Sequence, residues 1–203
     1  LDAGDAVVFF ATNDGYLHAV DPETGVERWA FVPPEFLADQ ADLLVNGASA
    51  SKHYGIDGSL RLQVDADGDG VLDGPAGEKA YLFFGTRRGG SLYYALDVTY
   101  PDAPRVLWRL DRSDEPTLGQ TWSAPVPTRV EVANQTQNDE HLVLVFAGGY
   151  DTTQDNYAAS TDNSGNAVFI VDSLSGAVLW HGAPNGGTKS FPDMLYSMPA
   201  DLR

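Results

Sequence analysis

A pattern written three times along the chain constrains its fold more than any other feature. Residues 6–31 read AVVFFATNDGYLHAVDPETGVERWAF and residues 79–110 read KAYLFFGTRRGGSLYYALDVTYPDAPRVLWRL. Residues 141–182 open with HLVLVFAGGYD and close, after an insertion, with NAVFIVDSLSGAVLWHG. Each copy has an apolar strand, a small residue and a glycine-containing turn. A second strand then ends in Asp21, Asp97 or Asp172, and a third strand carries Trp29, Trp108 or Trp180. Asn13-Asp14-Gly15 reads as a hairpin turn, because glycine takes positive φ without a steric penalty. The aspartate before each second turn is placed to accept backbone N–H groups and set the corner. The tryptophan is expected to pack between adjacent sheets. A small sheet that is apolar on both faces cannot bury both alone, so such sheets stack radially into a β-propeller. The expected class is all-β, a partial or modified β-propeller with blade-like repeats at 6–31, 79–110 and 141–182 of one domain, 1–203. Three repeats fall short of the four to eight blades that close a ring. The chain also stops near Pro199 as if a new strand began, so a fragment of a longer propeller is expected.

Composition agrees. The 21 glycines and 12 prolines divide short runs rich in Val, Phe and Tyr, a strand-and-turn texture. The helical candidate is Pro34 to Leu44, with Phe36, Leu37, Ala41 and Leu44 near helical spacing and Pro34 suited to a first turn.

Ahead of the second repeat lies D-x-D-x-D-G-x-x-D, residues 65–73. Alternate carboxylates around a glycine suit a hard cation, and Ca²⁺ takes six to eight oxygens. Asp65, Asp67 and Asp69 are the expected side-chain ligands, with the Val71 carbonyl next and Asp73 binding directly or through water. Gly70 is the expected sharp turn. The loop departs from an EF-hand, because its twelfth position is Ala76 and its flanks are strands. Leu60, Leu62 and Val64 alternate with polar residues before it, and Tyr81-Leu82-Phe83-Phe84 follows. Calcium is therefore the expected cofactor, held in an EF-hand-like loop inserted between blades.

A net charge of −17 excludes a phosphate-binding basic footprint, so no nucleic-acid partner is expected. No apolar run is long enough to span a membrane. The absence of cysteine excludes disulfides and thiolate metal sites. His18, His53, His141 and His181 are scattered, without zinc spacing. Asp151, Asp155 and Asp162 offer a second, weaker cation site inside residues 150–166, a segment read as a flexible surface insertion. Arg87-Arg88-Gly89-Gly90 reads as a strand-end turn or a recognition surface, and Trp122 as core packing or a contact surface. No nucleophile triad, phosphate loop or dinucleotide fingerprint appears, so the chain is not expected to be an enzyme.

The segment AVDPETGVERW, residues 19–29, resembles the tryptophan-docking motif of quinoprotein-type propellers. The order of that segment, the acidic loop, FGTRRGGSLYYALDVT, LGQTWSAP and FAGGYD resembles the C-terminal propeller of the PilY family. These are type IV pilus biogenesis factors and tip-associated adhesins. The resemblance implies quinoprotein-like blades and a Ca²⁺ site at Asp65, Asp67, Asp69, Val71 and Asp73, with ion occupancy controlling pilus extension, retraction and attachment. It implies an exported protein at the outer membrane, cell surface or pilus tip. Expected partners are pilus components or a host or abiotic surface, together with further blades and the N-terminal region of a parent chain. A quinoprotein dehydrogenase fragment and a scaffold with a purely structural ion are the alternatives.

Overall fold

The chain folds into three sheets laid face against face, antiparallel except for one two-residue edge strand. Residues 6–48, 52–69, 71–131, 140–156 and 160–202 are described by a computed structural model. The first sheet holds β1 (Val8–Ala11), β2 (Leu17–Val20) and β3 (Glu27–Phe31) in sequence order. The middle sheet runs β4 (Leu60–Asp65), β5 (Lys79–Gly85), β6 (Leu92–Asp97), β7 (Arg105–Asp111). The third contains β8 (Val126–Glu131), β9 (Glu140–Ala147), β10 (Val168–Asp172), β11 (Val178–Ala183) and the short parallel β12 (Lys189–Ser190). Each sheet is open, and the described residues form no closed barrel.

The middle sheet explains the stacking. Its central strands read as near-continuous apolar runs, the signature of a sheet buried on both faces. Leu82, Phe84, Tyr94 and Leu96 point to one side, where Leu17, Phe9, Trp29 and Phe31 of the first sheet meet them. Phe83, Tyr93, Ala95 and Trp108 point to the other, against Leu144, Phe146, Phe169 and Val171 of the third sheet. The Tyr93 and Phe146 rings lie 4.2 Å apart across that interface.

Turn chemistry sets the hairpins. Gly15 takes φ +95° in the first turn. Asp21 accepts from the Glu23 and Thr24 N–H groups, Asp97 from Thr99, and Asp172 from Leu174 and Ser175. These bonds, Thr24 first, hold the Asp21 carboxyl below its ordinary range. Each Asp-turn-Trp hairpin carries a register shift, at Ala19/Val20, Ala95/Leu96 and Ile170/Val171. The tryptophans then link sheets. Trp29 Nε1 donates to the Pro101 carbonyl, 2.7 Å away in the middle sheet's turn. Trp108 Nε1 donates to Ser173, 2.8 Å away in the third sheet's turn.

One expectation changes and another narrows. The helix expected over Pro34 to Leu44 divides into a 3₁₀ turn, Pro34–Phe36, and a six-residue helix α1, Gln40–Val45. Phe36 alone is buried, whereas Leu44 is 87% exposed, so no continuous apolar stripe holds one longer helix against the core. The 150–166 segment is a surface insertion, exposed at residues 152–156, 160, 161 and 163, but it is anchored at its ends. Asp151, Asp162, Ser164 and Asn166 are buried, and Tyr157–Ala159 lie outside the described residues.

Candidate functional site

The acidic loop closes the β4–β5 hairpin. Its first aspartate, Asp65, ends β4 in register with Lys79, the first residue of β5. Leu72 packs against the core between the first and middle sheets, and the Tyr100 ring end lies over Gly74. Those two contacts seat an otherwise exposed loop. Gly68 takes φ +90° and Gly77 φ +103°, so the chain bends there. Gly70, the expected turn residue, lies outside the described residues.

The carboxylates organise the loop's own backbone. Asp67 Oδ1 accepts from the Asp69 N–H at 3.0 Å, and Asp69 Oδ1 accepts from the Val71 N–H at 2.7 Å. Asp73 Oδ1 accepts from the Ala76 N–H at 3.2 Å. The brace across the loop is Glu78, which the sequence pattern did not single out. Its Oε1 accepts from the Asp67 N–H at 2.7 Å and its Oε2 from the Asp73 N–H at 2.6 Å. One carboxylate thus ties the two arms together. Its only signal in the sequence is an acidic residue just before β5, two positions past the EF-hand's terminal glutamate.

Asp65 faces a different neighbour. Arg129 of β8 approaches its Oδ2 with Nη2 at 3.0 Å, joining the loop to the third sheet. The donor set fits a hard cation in type, because carboxylate and carbonyl oxygens are what Ca²⁺ prefers. Among the described residues, however, no three acidic or histidine side chains converge tightly enough to enclose an ion. Asp67, Asp69 and Asp73 each have one oxygen outside the bonds described above.

Among the described residues the second expected cation cluster, Asp151, Asp155 and Asp162, does not converge on a common point either. Asp151 Oδ2 accepts from the Asn163 and Ser164 N–H groups, and its Oδ1 from Thr153. Asp162 accepts from the Ser197 N–H and the Gln154 side chain, and Asp155 from the Tyr150 hydroxyl. Burial raises the Asp151 carboxyl, but the Thr153, Asn163 and Ser164 donors outweigh it, and the net shift is downward. The histidines sit beside carboxylates: His18 by Glu27, His53 by Asp39, His141 by Asp172 and His181 by Glu115.

A stack of antiparallel sheets with an acidic loop at one hairpin defines a class of all-β domain, and comparison with known proteins gives it a family. No family model matches the chain. Over 190 residues, 90% of the chain, it is 33% identical to a type IV pilus biogenesis factor PilY1 homolog of Xylella fastidiosa, covering 14% of that protein. Over 176 residues it is 28% identical to type IV pilus biogenesis factor PilY1 of Pseudomonas aeruginosa, covering 85% of the chain and 13% of that protein. The crystal structure of the P. aeruginosa PilY1 C-terminal domain matches with a TM-score of 0.59 and 25% identity, over 91% of this chain and 32% of that one. The chain is homologous to a segment of the PilY1 type IV pilus biogenesis factors, matching over 85–90% of its own length and spanning 13–14% of theirs. Among the described residues no helix is long and apolar enough to cross a membrane.

Proposed function

We propose that this chain is a calcium-binding, non-enzymatic part of a β-propeller domain in an exported type IV pilus biogenesis protein. Ion occupancy at Asp65, Asp67, Asp69, the Val71 carbonyl and Asp73 regulates pilus extension, retraction and attachment to surfaces. One observation carries the reading. The acidic loop closes a hairpin of the middle sheet in a chain homologous to PilY1 over nine-tenths of its length. The partners are pilus components or a contacted surface, met at the cell surface or pilus tip.

The sheet stack supports reading the three sheets as consecutive blades. Each of the first two tryptophans reaches the turn of the following sheet. Trp180 pairs in register with Ile170, on the face of β10 opposite the buried Phe169. Val8 and Phe10 remain 49% and 43% exposed on the far face of the first sheet. Apolar outer faces of this kind suit further blades.

A bound Ca²⁺ supplies positive charge among four carboxylates that otherwise repel by about 1–4 kcal/mol per close pair. The chain's own residues do the rest. Asp67 and Asp69 keep one oxygen on the backbone and offer the other. Glu78 holds the two arms at a fixed span. Asp65 is shared between the loop and Arg129, so a change in the loop is felt at the contact between β4 and β8. The test is an Asp67→Ala allele in cells grown across a calcium series, with pili and surface attachment counted. The reading expects the calcium response to vanish. Unchanged pili and attachment, with only thermal stability reduced, would make the ion a structural fixture.

A further inference from the structure

A second feature lies at the opposite end of the middle sheet, where β5 ends and β6 begins. Loops from all three sheets meet there backbone to backbone, and glycine permits it. A Cβ on Gly55 would stand 2.2 Å from the Gly15 nitrogen, and one on Gly89 2.0 Å from the Gly55 carbonyl oxygen. One on Gly149 would stand 2.0 Å from the Gln120 carbonyl oxygen. On this closely packed junction, Tyr54, Arg88, Gln120, Trp122, Tyr150 and Asp155 surround a cleft of about 310 Å³. That volume is at the lower end of the range for small-molecule sites.

The rings are held in place. The Arg88 guanidinium lies 4.4 Å from the Tyr54 ring centre, and that of Arg87 4.4 Å from Trp122. Trp122 and Tyr150 are 5.3 Å apart. Arg88 donates to both carboxylate oxygens of Asp57, at 2.6 and 3.2 Å. Arg87 sits at φ +52°, a left-handed conformation that a long side chain rarely adopts without surrounding support. The Thr121 hydroxyl accepts its N–H at 3.0 Å.

The remaining hydrogen-bonding groups select the ligand. Trp122 Nε1 is spent on Gln120 Oε1 at 3.0 Å, and the Tyr150 hydroxyl on Asp155 at 2.6 Å. Two of the three aromatic-edge donors that the carbonyls of a proline-rich peptide would need are therefore engaged, which leaves the Tyr54 hydroxyl. The cleft still presents further Arg88 N–H groups, the Gln120 amide, which reaches the Arg88 carbonyl at only 3.5 Å, and the second Asp155 oxygen. Donors and an acceptor stand side by side. Arg87 and Arg88 balance Asp57 and Asp155, and the chain's net charge of −17 disfavours free anions. The fitting ligand is neutral, has one apolar face to lie on a ring, and carries hydroxyls that both donate and accept.

We propose that this cleft binds a neutral saccharide, stacked on Trp122 or Tyr150 and hydrogen-bonded by Arg88, Gln120 and Asp155. The site is independent of the acidic loop and of calcium. The test is tryptophan fluorescence and saturation-transfer NMR on the intact protein. Probes are glucose, galactose, mannose and N-acetylglucosamine, with glucuronate and a proline-rich hexapeptide as comparisons. Saturable binding of at least one neutral sugar below about 10 mM is expected, weakened at least tenfold by Trp122→Ala and by Asp155→Asn. Asp155 is exposed, so its variant remains informative if the Trp122 variant does not fold. The proposal is overturned if no neutral sugar saturates, if neither variant weakens binding, or if glucuronate or the peptide binds more tightly.

Discussion

Gly25 and Gly176 occupy the same place in two repeats and take nearly the same backbone conformation, φ +71° and +73°. Their surroundings differ. A Cβ on Gly25 would meet nothing within 4 Å, whereas one on Gly176 would stand 2.8 Å from Cγ and Cδ2 of Trp108. Alanine at either position carries the left-handed cost, about 1–2 kcal/mol. At Gly176 it also collides with a buried indole docked from the neighbouring sheet, which adds about 1–3 kcal/mol of overpacking. Gly25→Ala should therefore cost about 1–2 kcal/mol and Gly176→Ala about 2–5 kcal/mol. Trp108→Ala alone should cost about 3–5 kcal/mol. Combined with it, Gly176→Ala should fall back to the value seen at Gly25, because the clash is gone. Urea unfolding of the natural chain and the four variants, with the slope checked for constancy, measures each difference. Equal costs at the two glycines, or an undiminished cost in the Trp108→Ala background, would refute the docking of Trp108 on the third sheet's turn.

Two further outcomes follow from the loops. Glu78→Gln leaves one good acceptor where the carboxylate had two. It should speed amide exchange at Asp67 and Asp73 severalfold and cost about 1 kcal/mol; unchanged exchange at both amides would remove Glu78 as the brace. Asp151 is held below its ordinary carboxyl value, so its contribution is complete above about pH 4 and is lost as pH falls through the lower folded value. Unfolding free energy should thus decline more steeply below pH 4 in the natural chain than in Asp151→Asn, with the curves converging in acid. Parallel curves would show that the carboxylate does not anchor the segment.

The chain's punctuation made much of this fold legible. Asp21, Asp97 and Asp172 each set a corner, and Gly15, Gly25 and Gly176 each take the positive φ that their turns require. What stayed hidden had weak local signals. Strand β8 contains Pro127, which argues against a central strand, and β8 is indeed an edge strand. Glu78 lies beyond the ligand spacing that defines the loop, and its role depends on how the hairpin folds back. The ion pair of Arg129 with Asp65 spans 64 residues, a distance no periodicity encodes. The aromatic cleft gathers side chains from several loops, each unremarkable alone. In sequence Arg87 and Arg88 read as a strand-end turn or recognition surface and Trp122 as core packing or a contact surface, and their common location appears only after the sheets stack.

The calcium site proposed at Asp65, Asp67, Asp69, the Val71 carbonyl and Asp73 can be measured as binding. Calorimetric titration of the intact protein with Ca²⁺, beside Asp67→Ala, tests it most directly. Extracellular-type sites bind at about 10⁻⁴–10⁻³ M, and four aspartates favour the tighter end. One Ca²⁺ per chain is expected, with affinity weakened at least tenfold in the variant. No binding heat in the natural chain, or the same affinity in both, would contradict it.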